Sequence, residues 1–405
     1  MRLLRITTLQ EPYLDYFYGK NMDLAGKPSA DQLEVLYYDS YAQADSYTYY
    51  LSKLGYECRQ VIANALPVQR AWCHETGVQF DQSNYISALP IEYAKRYKPD
   101  IVFINNFNVF DETWVKSLKA YCSSIRLVLG FCGIFPNSYD GLRGYDVVLT
   151  PVQYLAKGME KAGVKTELLP HAFDSRILGR IDLKMTKCLP ITFIGSVIRT
   201  NGFHKQRAVF LEELSEVADL KIFSENAIES PFKQLARIIG YDLLSRLRKA
   251  GVNDEKLAQF PIIGRYKGLK QRPLFSYYSS LRSKVHPPVY GLEMYNTLRR
   301  SQVTLNAHAE CAGNSAGNLR LFEATGVGTC LLTDFKDDLH LLFEPDVEVA
   351  TYKSIEEGHG KLRWLLAHPQ QREEMAMAGM KRTLRSHTYE NRANQLHEII
   401  RHNLR

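Results

Sequence analysis

No run of apolar residues in this 405-residue chain approaches the roughly 18 that a membrane-spanning helix requires. The opening Met1-Arg2-Leu3-Leu4-Arg5 lacks the apolar core and small-residue cleavage site of a secretory leader. A cytoplasmic protein is expected, and peripheral contact with a membrane is compatible with that. The seven cysteines, at 58, 73, 122, 132, 188, 311 and 330, contain no C-x-x-C pair, which speaks for reduced, mostly buried thiols and against a disulfide frame or zinc site. G-x-G-x-x-G, Walker A and G-x-S-x-G are all missing, so neither a dinucleotide fold, a P-loop nor a hydrolase elbow is indicated. His397-Glu398-Ile399-Ile400-Arg401-His402 imitates a zinc motif but has one residue too many. On a helix its histidines stand about 140° apart, so both are expected as surface residues.

What is present is the composition of a globular protein, 45% hydrophobic and 23% charged, long enough for two α/β domains. Short apolar runs at 3–9, 57–62, 101–105, 126–131, 147–150 and 166–169 read as strands, and 45–54 and 91–97 read as helices between them. Such alternation implies a parallel sheet covered on both faces. The pattern breaks near 183–190 and restarts with Ile191-Thr192-Phe193-Ile194-Gly195-Ser196, a strand entering a small-residue turn. A helix over 204–217, a strand over 220–223, and strand, helix and strand at 303–306, 319–325 and 329–333 follow, with a helical tail from 370 interrupted at His387-Thr388.

The expected organisation is an N-terminal Rossmann-like domain over 1–185 and a second over 186–385, carrying a helical and basic insertion at 230–285. A terminal helix over 386–405 returns to the first domain. Two doubly wound domains place the carboxyl ends of their strands, where ligands bind, on both sides of one cleft.

The net charge of +7 is concentrated. Arg265, Lys267, Lys270, Arg272, Arg282 and Lys284 lie within 265–284 with no acidic residue, interleaved with Tyr266, Phe275, Tyr277 and Tyr278. This pattern suits a phosphate-bearing substrate, an anionic membrane or nucleic acid, or else a solvated loop. No nucleic-acid module accompanies it, so a nucleic-acid partner is not expected.

The richest stretch for chemistry is Asn314-Ser315-Ala316-Gly317-Asn318-Leu319-Arg320-Leu321-Phe322-Glu323. A polar, glycine-containing loop opens a short helix whose first N–H groups suit phosphate oxygens. Arg320 and Glu323, three apart, share a face. Arg320 can meet a diphosphate and Glu323 a ribose; alternatively the two simply pair and stabilise the helix.

From about His286 to Asn403 the chain resembles the C-terminal domain of the spore-maturation-type glycosyltransferases, relatives of the group 1 retaining family. The likeness is carried by His286-Pro287-Pro288-Val289-Tyr290-Gly291, Val303-Thr304-Leu305-Asn306, Asn318 to Ala324, Gly328 to Asp334 and His387 to Arg392. It implies a GT-B fold, two Rossmann-like doubly wound domains facing across a cleft. It further implies a glycosyltransferase moving a sugar from a nucleotide-diphosphate donor to an acceptor hydroxyl on a glycan, a lipid-linked or a small molecule, as in cell-surface polysaccharide or glycan biosynthesis. Donor binding then falls to Gly195, Ser196, Arg199, His204, Arg207, Tyr290, Asn314, Asn318, Arg320 and Glu323. No D-x-D occurs, so no metal or other cofactor is expected, and Arg, Lys and the helix start are left to balance the leaving group. Group 1 relatives carry an acidic residue eight positions before the ribose-binding glutamate; here that position is Ser315, with Glu310 nearby. Asp111, Asp140 and His171 are the candidate catalytic bases, near expected strand ends. A GT-B-like sugar-nucleotide epimerase or phosphorylase is the alternative, and a nucleic-acid-binding protein using the basic segment 265–284 is the lesser one.

Overall fold

A computed structural model describes residues 1–134, 138–197, 205–217, 219–225, 231–252, 272–273, 281, 283–308 and 312–404. The strands are β1 (Arg2–Thr7), β2 (Glu57–Ile62), β3 (Ile101–Asn105), β4 (Leu127–Phe131), β5 (Val147–Thr150), β6 (Thr166–Leu168), β7 (Leu189–Ile194), β8 (Leu220–Phe223), β9 (Val285–His286), β10 (Ser301–Asn306), β11 (Cys330–Asp334) and β12 (Ala350–Tyr352). They form two parallel six-stranded sheets, β1 to β6 and β7 to β12. The helices are α1 (Glu11–Lys20), α2 (Ser29–Tyr38), α3 (Ser46–Lys53), α4 (Leu66–Thr76), α5 (Tyr85–Tyr97), α6 (Glu112–Tyr121), α7 (Gln153–Lys161), α8 (Lys205–Val217) and α9 (Pro231–Lys249). After them come α10 (Gly291–Arg299), α11 (Leu319–Gly326), α12 (Ile355–Ala367), α13 (Pro369–Ser386) and α14 (Tyr389–Asn403).

The chain separates into two compact units, Met1–Leu189 with Tyr290–Arg405, and Pro190–Val289. In the larger, the first sheet runs β2-β1-β3-β4-β5-β6. Its strands are apolar on both faces because helices cover both. Leu4, Ile6, Val102, Ile104, Val128 and Val148 pack under α5, α6 and α7. Their alternating neighbours Leu3, Ile101, Phe103, Leu127, Leu129 and Leu149 pack under α3 and α14. The C-terminal helix α14 thus supplies half of one covering layer, burying Tyr389, Ala393, Leu396 and Ile400 there. At roughly 1.5–3 kcal/mol for each large apolar side chain, that layer contributes a large part of the first sheet's stability. A capping box at Thr388 and Asn391 starts the helix. Within the same unit β10 pairs with β11 and β11 with β12.

In the smaller unit β7 pairs with β8 and β8 with β9, again parallel. Of the basic stretch at 265–284, Arg272, Leu281 and Lys284 are among the described residues, and Arg265, Lys267, Lys270 and Arg282 lie outside them. Among the described residues no helix is long and apolar enough to cross a membrane, and the described cysteines form no disulfide with one another. His397 is not a free surface residue, because its Nδ1 lies 2.9 Å from the Tyr56 hydroxyl.

Candidate functional site

The second sheet's strands β10 and β11 end side by side in Asn306 and Asp334, the position at which open α/β sheets present their ligands. The loop between β10 and α11 is held there from below. His308 is buried, and both its backbone N–H (2.9 Å) and its ring Nδ1 (2.7 Å) meet Asp334 Oδ1. Gly317 N–H donates to His308 Nε2 at 3.4 Å, which leaves Nδ1 to carry the proton toward Asp334. Lys336 reaches Asp334 at 3.3 Å and donates to the Gly313 carbonyl at 2.8 Å. Burial alone would raise the Asp334 carboxyl, but His308 and Lys336 outweigh it and hold the group at about 2. Beyond it, Asp338 accepts from Ala316 N–H (2.6 Å) and Asp337 from the Asn314 amide (3.0 Å). Four residues in a five-residue segment therefore shape the loop that opens α11.

Asn318 is the N-cap of α11 by position, yet its side chain accepts no first-turn N–H. It exchanges amide hydrogen bonds with Asn306 instead (2.6 and 3.2 Å), and Asn306 donates on to Thr333 at 2.9 Å. The side chain that ordinarily satisfies the helix start is thus diverted into fastening it to the sheet, and Leu321 N–H is met by the Asn318 backbone carbonyl at 3.3 Å instead. Gly317 is required by space as well. A Cβ there would stand 2.8 Å from the Pro151 carbonyl oxygen and 3.2 Å from the Val152 side chain, so the loop lies directly on the end of β5.

Arg320 and Glu323 form an ion pair at 2.8 Å with both side chains largely buried. Glu323 is 4% exposed. Its surroundings are polar, the Arg320 guanidinium and the Tyr295 hydroxyl, yet burial dominates and raises the carboxyl above its ordinary value. Arg320 also touches Met294 Sδ.

On the first sheet, β1 and β3 are neighbours whose connections leave in opposite directions, which makes their carboxyl ends a topological switch point. Asn106, with φ of 75°, donates there to Thr8 Oγ1 at 2.8 Å, and Asn105 donates to Gln43 at 3.0 Å. The adjoining loop holds Ser40, Ala42 and Ala44 in left-handed backbone. It is pinned by the fully buried Arg5, which donates to the Ala44 carbonyl at 2.8 Å. Strain of this kind costs on the order of 1–3 kcal/mol per residue and collects at functional sites.

The other expected residues are dispersed. Asp111 caps α6, accepting from Trp114 N–H at 2.9 Å. Asp140 is exposed, bonded to Ser138 and paired with Arg143 at 3.2 Å. His171 lies beside Gly133 and Pro151 with its Nδ1 enclosed and without a hydrogen-bond partner. Burial, aided by Arg392, lowers it to about 4, so the ring is neutral at neutral pH. Tyr290 packs edge-on against Tyr13 and Tyr41 and tilted on Tyr16, as an aromatic between helices. In the smaller unit, Gly195 has φ of 155°, and Arg207 donates to the Ser196 carbonyl at 3.2 Å with its guanidinium over the Phe193 ring. Arg199, His204 and Glu310 lie outside the described residues.

His308, Lys336, Asn306 and Thr8 were missed from the sequence. Each is the residue at or just beyond the end of a parallel strand, and that position was the available signal.

Two parallel six-stranded sheets flanked by helices are the GT-B architecture. Residues 240–398 match the glycosyl transferase-like family. Among solved structures, the chain is similar to a sucrose-phosphate synthase from Thermosynechococcus elongatus (11% identity, TM-score 0.56, covering 99% of this chain and 98% of that one). It is also similar to a glycosyltransferase from Rickettsia africae (11%, 0.55, 100% and 98%). A third is Anabaena HepE in complex with UDP-glucose (11%, 0.53, 99% and 99%). At this identity the structural likeness is one of fold. No curated protein matches the chain.

Proposed function

We propose that the chain is a glycosyltransferase that binds a nucleotide-diphosphate sugar at the start of α11 and passes the sugar to an acceptor hydroxyl, and that within the group 1-like enzymes it is of the spore-maturation type. The observation that carries this reading is the built but uncapped helix start. His308, Asp334 and Asn306 fix the loop and the Asn318 side chain is diverted from capping, so the start of α11 and its positive dipole end are held in place for a diphosphate. The family match over 240–398 and the UDP-glucose in the HepE structure support this donor class.

Glu323 and Arg320 are paired with each other. Donor binding exchanges that pair: Arg320 turns to the diphosphate, and Glu323 accepts from the ribose hydroxyls. Burial already disfavours the Glu323 charge, so the ribose hydroxyls have to replace the stabilisation that Arg320 withdraws as it turns to the diphosphate. In the reaction the acceptor oxygen bonds to the anomeric carbon, the bond from that carbon to the diphosphate breaks, and the nucleoside diphosphate leaves. Charge growing on the departing phosphate is met by Arg320 and the helix start, with no metal assigned a part. His171, neutral at working pH and beside the strand ends on which Gly317 lies, takes the acceptor's proton. The switch point at Thr8 and Asn106 is the acceptor side.

A thermal-shift series over nucleoside mono- and diphosphates and nucleotide sugars tests this. A fitting diphosphate at about a hundredfold its Kd stabilises by about 2.7 kcal/mol. Glu323→Gln should abolish most of that shift while leaving the unliganded melting point intact. An equal shift with monophosphates, or an unchanged shift in Glu323→Gln, overturns the proposal.

A further inference from the structure

Helix α9 is amphipathic in an inverted sense. Its inward face is Gln234, Ile238 and Leu244. Its outward face carries Phe232, Leu235, Ile239 and Leu243, which are 84, 48, 57 and 41% exposed. At about 100° per residue these four fall within an arc of about 80°, so they form one continuous stripe. Single exposed apolar residues are ordinary, whereas a stripe of four on one 19-residue helix marks an interaction surface.

Charge selects the occupant. Over α9 there are five basic residues, Lys233, Arg237, Arg246, Arg248 and Lys249, against one acid, Asp242. Arg272 neutralises that acid through two hydrogen bonds of 2.8 and 2.9 Å. Arg246 continues the apolar stripe and Lys249 borders it, so the surface is apolar along its length and cationic at its C-terminal end. Docking the same face of a second copy by two-fold symmetry would set these stripes together with only cations at their ends and nothing to answer them. An anionic lipid surface answers both features, since acyl chains accept the apolar side chains and phosphate headgroups meet the cations.

We propose that the outward face of α9 is a membrane-docking surface that lies in the interface of an anionic leaflet, with Phe232 and Ile239 entering the acyl boundary and Arg246 and Lys249 contacting lipid phosphates. This goes beyond the transferase reading and is independent of it: the same surface would serve any protein acting on a lipid-borne substrate.

The full chain is tested by co-sedimentation with vesicles of phosphatidylcholine mixed with phosphatidylglycerol, and with phosphatidylcholine alone. Expected is binding to the anionic vesicles that weakens with salt and falls about tenfold or more in Phe232→Ser/Ile239→Ser. In Arg246→Glu/Lys249→Glu the preference for anionic over neutral vesicles is lost. Both variants should melt as the wild type does and keep its nucleotide-induced thermal shift, so a failure here is distinct from a failure of the donor site. No binding by the folded wild type, or undiminished binding by both variants, overturns the proposal. So does a wild-type dimer that Phe232→Ser/Ile239→Ser converts to monomer, which would assign the face to a second copy.

Discussion

The carboxyl ends of the two sheets solve the same problem in opposite ways. At β10 and β11 each polar side chain is bonded to another: His308 to Asp334, Asp334 to Lys336, Asn306 to Asn318 and Thr333. On the first sheet the three candidate bases, which follow β3, β4 and β6, are separate from one another. Asp111 serves a helix, Asp140 faces solvent, and His171 has an enclosed nitrogen without a hydrogen-bond partner. Two histidines at strand ends thus live in contrasting fields. His308 faces a carboxylate held at about 2, whereas His171 is lowered to about 4 by burial, with the Arg392 charge adding to it. A rigid, charge-matched end suits a ligand of constant chemistry such as a nucleotide diphosphate. A neutral base in an uncommitted neighbourhood suits proton transfer to a variable partner.

The largest effect that would break this contrast is on Asp334. Removing one member of a buried, hydrogen-bonded ion cluster costs about 3–5 kcal/mol, so Asp334→Asn should lower chemical-denaturation stability by about that much and erase the nucleotide-induced thermal shift. Unchanged stability would mean that the cluster is no tighter than the first sheet's end.

Acid should separate the two ends next. His171 and His387 are both lowered from 6.5 to about 4, each chiefly by burial. The unfolded chain takes up protons near pH 6.5 that the folded chain refuses until about pH 4. Their stabilisation is complete above 6.5 and is lost as pH falls through that window, at up to about 1.4 kcal/mol per pH unit per proton. Asp334 acts lower: its contribution is whole above 3.8 and disappears as pH falls toward 2. Denaturation measured against pH should therefore show two limbs, the upper one reduced in His171→Gln and the lower one reduced in Asp334→Asn. A single limb unaffected by either change would contradict the assignment.

Asp111→Ala is expected to cost about 1 kcal/mol through its lost cap while leaving sugar transfer within a few fold. A collapse of turnover at unchanged stability would make Asp111 the base and overturn the role given to His171. The smallest expected change in stability is at Glu323. Glu323→Gln removes a poorly solvated charge, so the unliganded protein should melt within about 1 kcal/mol of the wild type, with the sign set by how much of the Arg320 attraction is lost. A large destabilisation there would make the pair structural.

Much of the architecture was legible before any coordinates. Strands 57–62, 101–105, 147–150 and 220–223 coincide with the observed β2, β3, β5 and β8, and the break in the helical tail at His387-Thr388 is where α13 gives way to α14. The clearest of these carry strong local signals: apolar runs at 101–105 and 147–150, and the capping residues Thr388 and Asn391. The pieces between strands were expected to be helical, but the bounds of α1, α2, α4 and α7 were not anticipated. In α2 and α4 the apolar pattern is interrupted by the buried Gln32 and Gln69, whose side-chain N–H groups donate to the Lys27 and Ile62 carbonyls at 2.8 and 2.9 Å. In the candidate site Arg320 and Glu323 were legible from their spacing, while the residues that build the loop were not. His308 and Asp334 are 26 positions apart and meet only because β10 and β11 lie side by side.

By itself, then, the order of residues determined the two runs of parallel strands and the short helix carrying an arginine and a glutamate, because hydrophobic period and local spacing act over a few residues. Tertiary structure alone decided that Asn318 leaves its cap for Asn306, that Asp334 is driven down and Glu323 up, and that the stripe on α9 faces outward while that of α14 is covered. Each of these depends on which groups are brought near and how much water is displaced, and neither quantity is written in the spacing of the chain.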